Sequence, residues 1–140
     1  MLRGIDPLIT PALLGTLARL GHGDRIAVVD RNYPAYTNVG TVHEIAAADT
    51  LEVLRAICTM LPIDTFQQPA VWQMVSDGAA EPGPASAPVE ALFAEMTDGP
   101  FAVGRIERTD FYGHARDAVA AVRTADARPY ACFLLATGVL

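Results

Sequence analysis

Lysine is absent from the 140 residues, and all ten basic side chains are arginine. That absence excludes whole reaction classes. A Schiff-base aldolase, a pyridoxal enzyme and a phosphate loop of the G-x-x-x-x-G-K-[ST] type each need a lysine amine at the reacting centre. Cysteine is nearly as scarce: Cys58 and Cys132 lie in different halves of the chain with no C-x-x-C pair. Arg3 and Asp6 interrupt the N-terminal apolar stretch, so no secretory leader is expected, and free thiols in a reducing, cytoplasmic setting fit best. No apolar run approaches the roughly 18 residues of a membrane span. The positive mean hydropathy of +0.27 is therefore assigned to core or subunit interface, and favours self-association. Positive charge is also short, with a net charge of −6 and a pI near 4.8. Phosphate-backbone binding needs clustered positive charge, so neither nucleic acid nor an anionic membrane is an expected partner.

What is present suits one compact unit. A length of 140 residues predicts a single domain over 1–140. Hydrophobic residues at 51% against 19% charged supply a core that removes about two-thirds of the unfolded chain's surface from water.

Thr10 and Pro11 read as an N-cap and first helical residue, and Leu13, Leu14, Leu17 and Leu20 share one face, with Gly21 expected as a left-handed C-cap. The β-branched run ending at Asp30 predicts a buried strand, and residues 31–38 a loop. A second strand is expected over 41–46. Asp49 with Glu52 forms a capping-box signal for a helix through Leu61, closed by Pro62. Residues 70–75 read as a strand, 78–88 as a Gly/Pro-rich loop, 88–96 as a helix, 101–107 as a strand and 110–118 as a short helix. Two more strands, 119–124 and 130–136, flank a turn at 125–129. Alternation of helices and buried strands predicts an α/β fold, a mostly parallel sheet with helices on its faces.

The familiar catalytic motifs are missing. The chain has no nucleophile elbow, H-E-x-x-H, Gly-rich dinucleotide loop or spaced Cys/His cluster, so neither metal nor cofactor is expected. His22 is the informative residue. It lies between two glycines, before a strand that presents Asp30 at its carboxyl end, where open α/β sheets collect ligands. Glycine flanks leave His22 free to act as an acid/base group near neutral pH; the competing structural role is a helix C-terminal residue favoured by the macrodipole. Asp30 can bind a ligand or satisfy backbone amides. Arg108 can grip vicinal hydroxyls or carboxylates with its planar fork, or pair on the surface with Glu107 or Asp110. Tyr33, Tyr112 and Tyr130 each offer a hydroxyl and an apolar ring to a sugar, although such residues are more often core or interface. His43, His114 and Trp72 read as structural.

Together these residues resemble a known family. GIDPLITPALLGTLARLGHGDRIAVVDRNYPA is similar to the N-terminal third of the D-ribose pyranase and L-fucose mutarotase family. The likeness continues through LPIDTF at Leu61–Phe66, IERTDFYGHARDA at Ile106–Ala118 and PYACFLLATGVL at Pro129–Leu140. Each motif alone is weak; their order and spacing carry the resemblance. It implies a small α/β fold assembled into ring-shaped homo-oligomers, commonly decamers, with sites near subunit contacts. It also implies interconversion of anomers or ring forms of free sugars without metal or nucleotide. Residue by residue, it makes His22 the proton donor, and Asp30, Arg108, Tyr130, Ala131 and Cys132 the sugar-binding set. Arg108 matches the fucose type, which makes L-fucose the expected substrate. D-ribose pyranose/furanose interconversion, which Ala131 favours, and a non-catalytic sugar-binding protein of the same fold are the alternatives. The C-terminal triplet departs from the fucose pattern, Tyr-Gly-Asn becoming Tyr130, Ala131 and Cys132, and the thiol replaces a strong amide donor and acceptor. Thr109 and Gly113 depart as well, beside the same site.

Overall fold

The computed structural model describes residues 2–99 and 101–140. The described residues form a six-stranded sheet in the order β2-β5-β1-β6-β3-β4. Its strands are β1 (Arg25–Val29), β2 (Val42–Ile45), β3 (Val71–Val75), β4 (Val103–Glu107), β5 (Ala120–Thr124) and β6 (Phe133–Ala136). β1 is parallel to β5, β5 to β2, and β3 to β4, while β6 runs antiparallel to both β1 and β3. Five strands thus point one way and β6 alone opposes them, so the sheet is mostly parallel, as the alternating pattern predicts.

Why the central strands read as unbroken apolar runs is plain from their two faces. In β1, Ile26 and Val28 enter one core cluster while Ala27 and Val29 enter the other. Successive side chains of a strand point to opposite faces, and both faces here are covered. One face carries α1 (Pro11–Leu17), α3 (Thr50–Cys58) and α4 (Ser86–Met96) through Leu13, Leu54, Ile57, Leu92 and Phe93. The other carries only α2 (Ala35–Asn38) and α5 (Arg108–Arg116), through Ala35, Phe111 and Ala115. This thinner layer leaves room at the sheet edge.

The caps largely follow the local chemistry. Thr10 accepts from the Leu13 amide, and Asp49 and Glu52 make the expected reciprocal box at the start of α3. Several boundaries differ. α1 ends at Leu17, and the chain leaves it through tight turns from Arg19 to Thr16 and Leu20 to Leu17. Gly21 is therefore no left-handed cap; the positive φ falls on Gly23, at +83°, where the chain turns into β1. α3 stops at Cys58 rather than Leu61 for a similar reason, since the Met60 and Leu61 amides both close on the Ile57 carbonyl. α4 begins at Ser86, inside the expected loop, because Pro88 sits in the first turn, where no N–H is missed. α5 begins at Arg108 because β4 runs straight into it from Glu107. The segment expected to be a loop after Asp30 contains the short α2.

A buried carboxylate paired with a partly exposed arginine fixes the turn before β6. Asp126, 3% exposed, accepts from the Thr50 amide at 3.1 Å, from Arg128 Nη2 at 2.6 Å, and from the Arg128 amide and Nε at 2.9 Å each. Burial opposes the charge, but the Arg128 guanidinium and the Arg128 and Thr50 amides outweigh it and hold the carboxyl at about 2 against an ordinary 3.8. A carboxyl depressed by folding contributes stability above its unfolded value and loses it as pH falls through the folded one. Asp126 therefore contributes on the order of 1–2 kcal/mol near neutral pH that disappears between about pH 4 and pH 2. Thermal melts across that window should fall steeply for the native chain and more gently for Asp126→Asn; parallel curves would remove this role.

Candidate functional site

A cavity of about 230 Å³ opens where β1, β3 and β4 end and β6 begins, over the face carrying α2 and α5. Its walls come from Asp30 and Asn32 after β1, Tyr33, Met74 on β3, Arg108 and Tyr112 on α5, and Pro129, Tyr130 and Cys132 before β6. The volume lies below the roughly 300 Å³ at which drug-sized sites begin, so it suits one small ligand. It sits beyond the carboxyl ends of the parallel strands, where the sequence places Asp30. A wider, shallow depression of about 710 Å³ runs along β4 and α5. It is walled largely by exposed side chains such as Arg105, Asp110 and His114, and lacks a buried charge.

Asp30 is 6% exposed, satisfies backbone amides and lines the cavity. Oδ1 accepts from the Asn32 amide at 2.9 Å and the Tyr33 amide at 3.0 Å, which fixes the carboxylate in a turn. Oδ2 accepts from the Cys132 thiol at 3.3 Å, across 102 positions of sequence. Burial first and the Asp30 charge second push that thiol well above its ordinary value, so it stays protonated and donates. Cys132 is thus a partner of Asp30 as well as a wall of the cavity.

Arg108 enters from the opposite wall as the first residue of α5. Its guanidinium lies 5.7 Å from the centre of the Tyr112 ring, and Nη1 reaches Tyr112 Oη at 3.5 Å. The surface partner expected among its sequence neighbours is neither Glu107 nor Asp110. Nη2 pairs at 2.6 Å with Asp77, on the loop after β3. Asp77 is itself held by the Thr109 amide and hydroxyl, and these bonds and the guanidinium keep its carboxyl below the ordinary value. The fork is aimed by a loop 31 residues away in sequence (108 − 77).

Tyr130 and its neighbours depart from the expected strand. Tyr130 has φ of +59°, a left-handed conformation costly for a residue with a Cβ, so β6 begins only at Phe133. Gly83 makes the bend fit: a Cβ there would run into the Pro129 carbonyl. Ala131 is fully buried in the core, and its carbonyl accepts from Thr50 Oγ1 at 3.1 Å. Unlike Tyr130 and Cys132, it does not line the cavity.

His22 stands apart from all of these. It precedes β1 and Asp30 follows it, so five strand residues at about 3.3 Å each hold the two roughly 16 Å apart along the sheet. At this amino edge His22 Nε2 meets Asp64 Oδ2 at 3.2 Å, and Phe66 presents its ring at 5.8 Å, edge to face. The imidazole is half exposed and Asp64 is buried. Burial works against the Asp64 charge, yet the Phe66 amide and the His22 ring hold its carboxyl below the ordinary value. The pair has the form of an acid/base group oriented by a carboxylate.

The partnerships of Asp64, Asp77 and Gly83 were not legible in the sequence. Asp64 sits within LPIDTF, but nothing local marks it as the partner of a histidine 42 positions away. His43 is structural, as read, bonding Thr16 at 2.8 Å with its imidazole held below the ordinary value by burial. Among the described residues no group of three or more His, Cys, Asp or Glu could hold a metal ion, and no helix is long and apolar enough to cross a membrane.

Residues 3–140 match the model of the RbsD / FucU transport protein family. The chain belongs to that family. The solved structure of the fucose mutarotase in complex with L-fucose from Streptococcus pneumoniae is 26% identical, covers 99% of each chain and superposes with a TM-score of 0.92. FucU from Bifidobacterium longum is 31% identical over 99% of each chain, with a TM-score of 0.90. RbsD of Bacillus subtilis, solved with D-ribose, is 21% identical over 100% of this chain and 99% of its own, with a TM-score of 0.76, and shows the shared fold. A fucose-bound and a ribose-bound protein thus both share this fold.

Proposed function

We propose that the chain is an isomerase that interconverts the anomers of a free monosaccharide, with L-fucose as substrate, by acid/base opening of the ring. The observation that carries this is a monosaccharide-sized cavity with a buried carboxylate, Asp30, on one wall and a guanidinium, Arg108, on another. Asp30 accepts from sugar hydroxyls and Arg108 donates to them, both through charge-assisted hydrogen bonds, while Tyr112 and Tyr130 offer ring faces. Arg108 supports the fucose type over the ribose type; Ala131, the residue favouring ribose, lies in the core rather than against the cavity.

Ring opening needs two proton transfers. The anomeric hydroxyl gives its proton to a water bound beside the sugar, the ring oxygen gains one, and the bond between the anomeric carbon and the ring oxygen breaks to give the open aldehyde. Rotation about the adjacent carbon–carbon bond and reclosure yield the other anomer. His22, oriented by Asp64, is the proton donor to the ring oxygen, and Tyr130 stands at the cavity wall to cover the sugar or relay a proton. Because His22 lies at the far edge of its own sheet, it acts on the cavity of a neighbouring copy. Phe66, 75% exposed beside it, and Val139, 51% exposed near the same edge, give such a copy an apolar surface to cover. A ring of copies, a decamer in this reading, repeats the contact around the assembly.

Saturation-transfer NMR of anomer exchange tests the assignment, with L-fucose, D-galactose and D-ribose at neutral pH, with and without protein. Faster α/β exchange of L-fucose supports it. Acceleration confined to the ring forms of D-ribose replaces it with the pyranase reaction, and binding without acceleration replaces it with a sugar-binding role.

A further inference from the structure

The proposed site contains a buried hydroxyl donor that no part of the mechanism above uses. Tyr33 is 5% exposed and lines the cavity. Its backbone N–H holds Asp30 Oδ1, while its ring packs edge-to-face on Phe111 at 6.0 Å and tilted against Tyr112 at 5.4 Å. The phenol is thereby locked in place.

Its protonation geometry follows from Asn38, the last residue of α2. The Asn38 side-chain nitrogen lies 2.9 Å from the Tyr112 carbonyl and 2.6 Å from Tyr33 Oη, and its oxygen lies 3.3 Å from Arg116 Nη2. A carbonyl can only accept and a guanidinium can only donate. Each neighbour therefore fixes the amide the same way round, nitrogen toward Tyr112 and oxygen toward Arg116. The contact with Tyr33 must then run from the Asn38 amide to the phenol oxygen. That oxygen is an acceptor in this bond, and its own proton has no acceptor among the described residues. A buried hydroxyl proton left without a partner is costly, and a ligand or water that accepts it recovers the loss.

We infer that the Tyr33 hydroxyl is a further sugar-binding donor, directed at one hydroxyl of the monosaccharide and setting which epimer or deoxy sugar the cavity accepts. The assignment rests on the sugar-isomerase reading of the cavity. Burial chiefly, with smaller contributions from Cys132 and Tyr112, holds the phenol far above its ordinary value, so it keeps its proton at neutral pH. Asp30 accepts and Tyr33 donates within one turn of chain, which gives the ligand one partner of each kind on the same wall.

Tyr33→Phe removes only the oxygen; Asn38 keeps the Tyr112 carbonyl and Arg116, so the fold is retained. Dissociation constants are measured for the native chain and the variant with L-fucose and its 2-, 3- and 4-deoxy analogues. If exchange is confined to D-ribose, that sugar and its deoxy analogues take their place. The variant should bind the parent sugar about 3- to 10-fold more weakly, the worth of one neutral hydrogen bond. One deoxy analogue, lacking the hydroxyl that Tyr33 reaches, should bind both proteins equally. An unchanged constant for the parent sugar overturns the assignment, and so does a uniform loss across all analogues, which would make Tyr33 a shaping residue only. A native chain that binds none of these sugars defeats the isomerase reading itself, a result distinct from either.

Discussion

Replacing His22 by alanine is expected to slow anomer exchange by about 10²- to 10⁴-fold, the usual worth of a positioned proton donor, with little loss of sugar affinity. The affinity resides in the cavity, and His22 lies outside the cavity of its own chain. Asp64 retains its bond from the Phe66 amide at 2.9 Å, so the amino edge keeps its shape. Unchanged exchange in the variant would sink the assigned role. The geometry makes a sharper demand. If each site takes Asp30 from one copy and His22 from another, then co-assembling His22→Ala with an Asp30 variant in equal amounts should restore about a quarter of the sites. Mixtures as inactive as their components would show that His22 does not act across copies.

Asp30→Asn tests the other side of the same site. The amide keeps the shape of the carboxylate and one oxygen for the Asn32 and Tyr33 amides, but its charge is gone. Charge-assisted bonds to sugar hydroxyls become neutral ones, and affinity should fall about 10- to 100-fold. A titration of sugar binding reads this directly, and native affinity in the variant would remove Asp30 from the binding set. The same change has a second signature. Burial and then the Asp30 charge hold the Cys132 thiol up, so removing the charge should bring the thiol down toward, though not to, its ordinary value. An NMR titration of the labelled cysteine would follow it.

Cys132 also shows what its departure from the fucose pattern does. An amide at this position would present both a donor and an acceptor to the cavity. The thiol is a weak donor and is already engaged by Asp30 at 3.3 Å. Fewer polar groups remain on that wall, so in the proposed site more of the choice of sugar would rest on Tyr33 and Arg108.

Much of this molecule was readable from short stretches of chain. The capping box at Asp49 and Glu52, the N-cap at Thr10 and the two-faced apolar run of β1 act over a few residues, and each appears where local chemistry puts it. The lack of lysine removed amine-based catalysis without any structure. The place of the cavity beyond Asp30 also needed only the strand and its direction. Element boundaries were less legible, because tight turns after α1 and α3 and the left-handed Tyr130 depend on what the chain meets next.

Partnerships over long separations were decided by the tertiary structure alone. β6, last in the chain, inserts antiparallel between β1 and β3. That placement carries Tyr130 and Cys132 to Asp30, whereas local propensity says nothing about which strands become neighbours. Asp77 reaches Arg108, and Asp64 reaches His22, through the same sheet order. The clearest case is the pair closest in sequence. His22 and Asp30 look like members of one site, yet the strand between them is extended and buried on both faces, so it holds them at opposite edges of the sheet.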